Sequence, residues 1–279
     1  MARYGIVCDV EKCDGCYSCF LSCKDEYVGN DHAPLSVAQS EKQAWMRLKE
    51  VEYGTGNKIK VDYIPIMCQH CENPSCMKAG PEGAVYKRDD GVVIIDPLKA
   101  KGAKEIVGAC PYNAVFWNEQ LQVPQKCTMC MHMIEAGEKA PRCVECCPTG
   151  ALVFGDMDDP NSEISKLIAE KGDRLEKFHP EFGTEPAVNY LRLPKPFVAG
   201  DVYFLDTDEC AIDVPVFLKD LETGEVRESK TSYLGCLEFR DVVENREYEI
   251  TIKAEGYKDH VETFRVKGGK NFGEIALTK

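Results

Sequence analysis

The chain of 279 residues contains no run of about eighteen or more apolar residues, so the sequence predicts no membrane-spanning helix. Its first residues, Met1-Ala-Arg-Tyr-Gly-Ile-Val-Cys8, show neither the basic region and apolar stretch of an export signal nor a twin arginine. Positive charge is also in short supply. Lys and Arg number 34 against 47 Asp and Glu, a formal net charge of −13. That balance speaks against a nucleic-acid partner and against an anionic membrane surface, since both select basic proteins. Hydrophobic content is ordinary at 44%, and the length suits one large or two ordinary domains.

Cysteine, by contrast, is abundant: there are 16. Twelve fall into spaced motifs. The first is Cys13-x2-Cys16-x2-Cys19-x3-Cys23, the second Cys68-x2-Cys71-x4-Cys76, and the third Cys127-x2-Cys130-x12-Cys143-x3-Cys147-Pro148, with a lone Cys110-Pro111 between the last two. The run C-x2-C-x2-C-x3-C-P is the bacterial ferredoxin spacing, in which the fourth cysteine ligates the other cluster of a pair. Three sulfurs come from a tight loop and the fourth from a distant segment. This rule predicts one [4Fe–4S] cluster on Cys13, Cys16, Cys19 and Cys147. It predicts a second on Cys127, Cys130, Cys143 and Cys23, and a third on Cys68, Cys71, Cys76 and Cys110. The reciprocal partner of the third would need cysteines where the chain has Ala100, Ala103, Ile106 and Gly80, the last just before Pro81. All four ligands of one cluster are missing together while the other three sets are complete. The expectation is three clusters on a framework made for four.

Zinc is the competing chemistry, because C-x2-C pairs also build structural zinc sites. Zinc ribbons use paired knuckles, however, whereas here three cysteines run at two-residue steps and Cys-Pro closes other motifs. A disulfide scaffold suits short secreted chains rather than one this long. Four cysteines remain. Cys8 reads as a buried thiol in a strand, Cys146 as a spectator beside Cys147, and Cys210 and Cys236 as two core thiols. His70 and His132 adjoin the motifs, and a histidine ligand would raise a cluster's potential. Lys12, Lys24 and Lys126 are the nearby cations available to offset thiolate charge. Cluster assembly needs reduced thiols, which points to the cytoplasm, with export bound to a signal-bearing partner as the alternative route.

The organisation follows from composition. Residues 1–155 read as an iron–sulfur domain in which short strands at 3–10 and 92–95 lead into cluster loops and strands at 114–117 and 151–154 lead out. The phrases Cys-Pro-Tyr-Asn-Ala-Val at 110–115 and Cys-Pro-Thr-Gly-Ala-Leu at 147–152 mark an internal duplication. Residues 27–66 read as a polar surface insertion. Residues 156–199 read as a connector, with a helix over 162–178 capped by Ser162 and a Pro-rich extended arm after it. From 200 to 279, alternating apolar positions and turn signals predict an antiparallel β-sandwich of immunoglobulin-like or prealbumin-like type. The fold class is therefore α+β: a duplicated ferredoxin-like domain followed by a β-sandwich.

The phrases Cys68-Gln-His-Cys71-Glu-Asn-Pro-Ser-Cys76 and Pro141-Arg-Cys143-Val-Glu-Cys-Cys147-Pro-Thr-Gly-Ala-Leu152 resemble the iron–sulfur subunits of molybdopterin enzymes of the dimethyl sulfoxide reductase family. Those subunits typically carry four motifs and four clusters. The lost cluster, the C-terminal β domain and the segments 112–118 and 183–186 are similar to one branch of the family, which moves a hydroxyl between phenolic rings without net redox change. The resemblance implies a large partner subunit carrying the molybdopterin with Mo or W, in a heterodimer or a multiple of one. It also implies that the active site lies on that partner, with no catalytic residue here. A related branch removes hydroxyls from catechols reductively, and its small subunit must conduct electrons. A stand-alone polyferredoxin is the reading of a different class, but it would have little use for the arm and the β domain.

Overall fold

Short apolar runs between glycine and proline punctuation give short strands, and helices are few. The computed structural model describes residues 2–279 and divides into two compact units, residues 2–50 with 62–193 and residues 51–61 with 194–279. None of the described helices is long and apolar enough to cross a membrane.

The first unit is organised by the strand Tyr4–Asp9, whose Ile6, Val7 and Cys8 are buried. Leu152–Asp156 lies antiparallel to it, with Phe154 opposite Ile6. Val188–Leu191 lies parallel on its other side, with Val188 opposite Ile6, and Leu175–Glu176 completes the sheet. The helix Glu163–Lys171 packs Ile164 against Val7 and Leu191. The Ser162 hydroxyl caps it, accepting from the Ser165 N–H at 3.1 Å. This helix is shorter than the expected 162–178, because Gly172 and Asp173, both poor helix formers, end it. Residues 188–191 are a sheet strand rather than part of an extended arm, since Val188, Tyr190 and Leu191 are apolar enough to be buried. The unit thus runs to Leu193, past the boundary expected at 155.

Residues 27–66 also depart from the expected surface insertion. Tyr27, Leu35, Trp45 and Met46 are buried, and the Tyr27 hydroxyl meets Thr128 Oγ1 at 2.7 Å. Their irregular spacing hides the burial from any periodic signal. The strands Arg47–Thr55 and Lys58–Ile66 then pair as a hairpin, and its outer part, 51–61, belongs to the second unit.

In the second unit, one sheet joins Glu209–Cys210, Val198–Phe204, Cys236–Phe239 and Lys270–Leu277. The other runs Val226–Lys230, Pro215–Asp220, Glu247–Ile252, His260–Arg265. Alternation sends Val216, Leu218, Ile250 and Ile252 from one sheet, and Val202, Leu237 and Ile275 from the other, into one core. The pairing of Val198–Phe204 with Lys270–Leu277 is parallel, where the expectation was antiparallel throughout. These strands open and close the unit and are not joined by a hairpin, so nothing forces them antiparallel. Lys58 Nζ pairs with Asp201 at 2.7 Å and Lys60 Nζ with Glu238 at 2.5 Å, holding the outer hairpin to this sheet. Cys210 is exposed and Cys236 half-buried, so neither is a core thiol. Each precedes an inward residue, Ala211 or Leu237, and therefore faces outward.

Candidate metal centres

The chain turns around its cysteines by leaving the right-handed regions of backbone space. Gly15, at φ +71°, and Tyr17, at φ +61°, flank Cys16. The turn delivers the chain into the helix Ser18–Tyr27, which carries Cys19 and Cys23 four residues apart on one face. Cys147 arrives from the loop before Leu152–Asp156. Burial, with Cys13 and Cys147 beside it, pushes the Cys19 thiol up to about 12. Burial and the neighbouring Cys147 and Cys16 also raise Cys13. Cys13, Cys16, Cys19 and Cys147 therefore form one set.

A similar turn, with φ +54° at Met129 and +49° at Cys130, opens the short helix Met131–Glu135. Burial, with Cys127 and Cys130 close by, raises Cys23 well above the ordinary thiol value. Burial also raises Cys143, which senses Cys130, Cys127 and Cys23. The Met129 N–H donates to Cys127 Sγ at 3.3 Å. These four cysteines form the second set. The third is the most explicit, because Cys68, Cys71, Cys76 and Cys110 line one cavity. Burial pushes Cys71 and Cys76 up to about 11, while a hydrogen bond from Thr184 draws Cys71 partly back. The Ala114 N–H donates to Cys110 Sγ at 3.4 Å.

Such thiols stay protonated unless a metal compensates their charge. Among the described residues, no three cysteine sulfurs lie within 4.8 Å of one another. Three thiols from a tight loop with a fourth from a distant segment make up the ligand set of a cubane. The donor sets fit [4Fe–4S] clusters. One group does lie within 4.8 Å, Glu26 with His32 and His132, but it is already engaged. Glu26 accepts from His132 Nε2 at 2.9 Å and from Arg142 Nε at 3.0 Å. His70 is buried, and its Nδ1 accepts from the Val93 N–H at 3.1 Å. Cys8 is buried in its strand and Cys146 is exposed.

The second set adjoins both others. Cys23 and Cys143 sense Cys19 of the first set, and Cys127 senses Cys68 of the third. Beyond the third set, Cys76 and Cys110 border an apolar cluster containing Ala100, Ala103 and Ile106. The backbone there repeats that of the first motif. Gly102, at φ +83°, stands between Ala100 and Ala103 as Gly15 stands between Cys13 and Cys16. Lys99 pairs with Asp96 at 4.0 Å as Lys12 pairs with Asp9 at 3.9 Å. The Asp96 N–H donates to Ala84 O at 2.9 Å as the Asp9 N–H donates to Ala151 O at 2.8 Å. Ala84 ends Gly80-Pro-Glu-Gly-Ala84 as Ala151 ends Cys147-Pro-Thr-Gly-Ala151, and the glycines before them share φ values of +73° and +65°. Gly80 occupies the cysteine position, and Ile106 fills the space beside it.

Thr184 carries no signal in the sequence that marks it as a site residue. It is buried, shares a hydrogen bond of 2.6 Å with the Tyr112 hydroxyl, and is held by main-chain pairing of Asn73 and Glu72 with Thr184 and Glu185. Its spacing reveals nothing, as it lies more than a hundred residues from Cys71.

Residues 59–157 match the model of a 4Fe-4S dicluster domain. The chain is 38% identical to the pyrogallol hydroxytransferase small subunit of Pelobacter acidigallici, over 94% of this chain and 95% of that one. It is 36% identical to a subunit of the tetrathionate reductase of Salmonella typhimurium, over 70% and 75% of the two chains. It is 30% identical to the iron–sulfur subunit of the arsenate respiratory reductase of a Shewanella species, over 68% and 96%. With a 4Fe-4S domain and relatives of this kind along nearly its whole length, the chain belongs to the iron–sulfur subunits of the dimethyl sulfoxide reductase family of molybdoenzymes.

Proposed function

We propose that this chain is the electron-carrying subunit of a molybdopterin enzyme acting on polyphenols, most specifically a pyrogallol hydroxytransferase. It would hold three [4Fe–4S] clusters on Cys13/Cys16/Cys19/Cys147, Cys23/Cys127/Cys130/Cys143 and Cys68/Cys71/Cys76/Cys110. When bound, such clusters supply one-electron storage and transfer. The cysteine loops hold them, and N–H groups such as those of Met129 and Ala114 steady the sulfurs.

The reading rests above all on one observation: the row of four-thiol sets ends at the apolar filling around Ile106. A row closed at one end suits an enzyme whose overall reaction consumes no electrons, with one redox port toward the large partner that bears the pterin and the substrate pocket. In this reading the first unit is a duplicated ferredoxin-like domain, and the second is an immunoglobulin-like or prealbumin-like sandwich that grips the partner. The complex would work in the cytoplasm.

Purification of the intact complex tests this directly. The expected result is a large pterin-bearing chain in fixed ratio with this one, and conversion of pyrogallol without stoichiometric reductant. A requirement for one reducing equivalent pair per turnover would instead make the complex a reductive catechol dehydroxylase. Recovery of this chain alone, with full iron, would make it a polyferredoxin.

A further inference from the structure

Three lysines stand immediately before the first cysteine position of a cluster loop: Lys12, Lys99 and Lys126. Lys12 and Lys99 each pair with an aspartate three residues earlier, and both side chains are more than half exposed. Lys126 has Val123 in that place. It is only 3% exposed. Its Nζ donates to Val93 O and, at 3.1 Å, to Cys127 O. No carboxylate among the described residues lies within ion-pair distance of it. The side chain lines the cavity of Cys68, Cys71, Cys76 and Cys110, while its backbone runs directly into Cys127 of the second set.

A buried ammonium satisfied only by neutral carbonyls is costly, because its charge is removed from water without an opposing charge. Two four-thiolate assemblies flank it and would supply that opposing charge. Lys12 and Lys99, neutralised by their own carboxylates and wetted by solvent, act on clusters far less.

We propose that Lys126 is a shared positioning cation that raises the reduction potentials of the second and third clusters together, so that electrons entering the row rest on that inner pair rather than on the first cluster. The proposal rests on the three-cluster reading above. Each reduction transfers one electron from the preceding cluster, which is oxidised in the same step. It adds one negative charge to the assembly beside Lys126, and the fixed positive charge stabilises that product.

The test is a potentiometric titration of the intact complex, followed by electron paramagnetic resonance, for wild type, Lys126→Met, Lys126→Gln and Lys126→Arg. The glutamine keeps a donor for the two carbonyls without the charge. With iron content unchanged, both neutral variants are expected to disfavour reduction of the second and third clusters by more than tenfold, about 59 mV for a one-electron couple. The first cluster should shift much less, and the arginine variant should stay near wild type. Full iron with the inner two potentials unmoved, or an equal shift of all three, would overturn the proposal. Iron loss in both neutral variants but not in Lys126→Arg would support it, the charge then being needed to hold the clusters at all. Iron loss in all three variants would reduce Lys126 to a packing role and overturn it. A wild-type complex without about twelve irons per chain would instead sink the three-cluster reading.

Discussion

Two neighbouring thiols, Cys146 and Cys147, separate ligand from bystander. Cys13, Cys19 and Cys8 all sense Cys147, whereas Cys146 is exposed and has no proline behind it. Cys147→Ala should therefore lower the iron content by about four per chain, one cubane, and Cys146→Ala should leave it unchanged. Iron analysis of the two purified variants decides, and equal loss from both would mean that the ligand can switch. Gly80 carries a second prediction. A Cβ there would lie 2.5 Å from Ile106 Cδ1 and 2.7 Å from Cγ1, and Ile106 is fully buried. Gly80→Ala should cost about 1–3 kcal/mol through overpacking. Adding Ile106→Val, which removes Cδ1, should recover part of that loss, a coupling readable from the melting temperatures of the single and double variants. The cysteine motifs are legible at this scale because cluster geometry demands fixed spacings. The supporting hydroxyls of Tyr27 and Thr184 were not, since contacts across such distances in sequence leave no local pattern.

At the scale of elements, the segment from Asp96 to Ile106 keeps the turn, the glycine and the ion pair of a cluster loop without its thiols. Placing Cys at Gly80, Ala100, Ala103 and Ile106 should let the chain bind about four more irons on anaerobic reconstitution. The Ile106 change removes the Cδ1 atom that lies nearest residue 80, and ligation contributes directly to folding free energy. Iron that stays at the wild-type count would show that the loop no longer closes around a cubane. The outer hairpin offers a milder test. Lys58→Met with Lys60→Met should speed amide exchange over 51–61, each half-exposed pair contributing no more than about 1 kcal/mol. Unchanged exchange would mean that strand pairing alone holds the hairpin there. Strand positions and the Ser162 cap were readable from alternation and capping chemistry. The burial of Trp45 and the strand Val188–Leu191 were not, because isolated apolar residues and a parallel strand depend on partners distant in sequence.

For the whole molecule, the central claim is that three clusters occupy a framework built for four. The division into two units follows from a change in texture near residue 200, visible in the sequence. The capture of 51–61 by the second unit is invisible there, because it rests on contacts with residues far away in sequence, such as Asp201 and Glu238. The apolar cluster beside Cys76 and Cys110 gives the proposed cluster count its meaning, since a fourth cluster would need the space where Ile106 now packs. The most direct test is quantitative iron and acid-labile sulfide analysis of the anaerobically purified wild-type protein. About twelve irons and twelve sulfides per chain are predicted. About sixteen of each would contradict the vacated site, and zinc without sulfide would contradict the iron–sulfur assignment altogether.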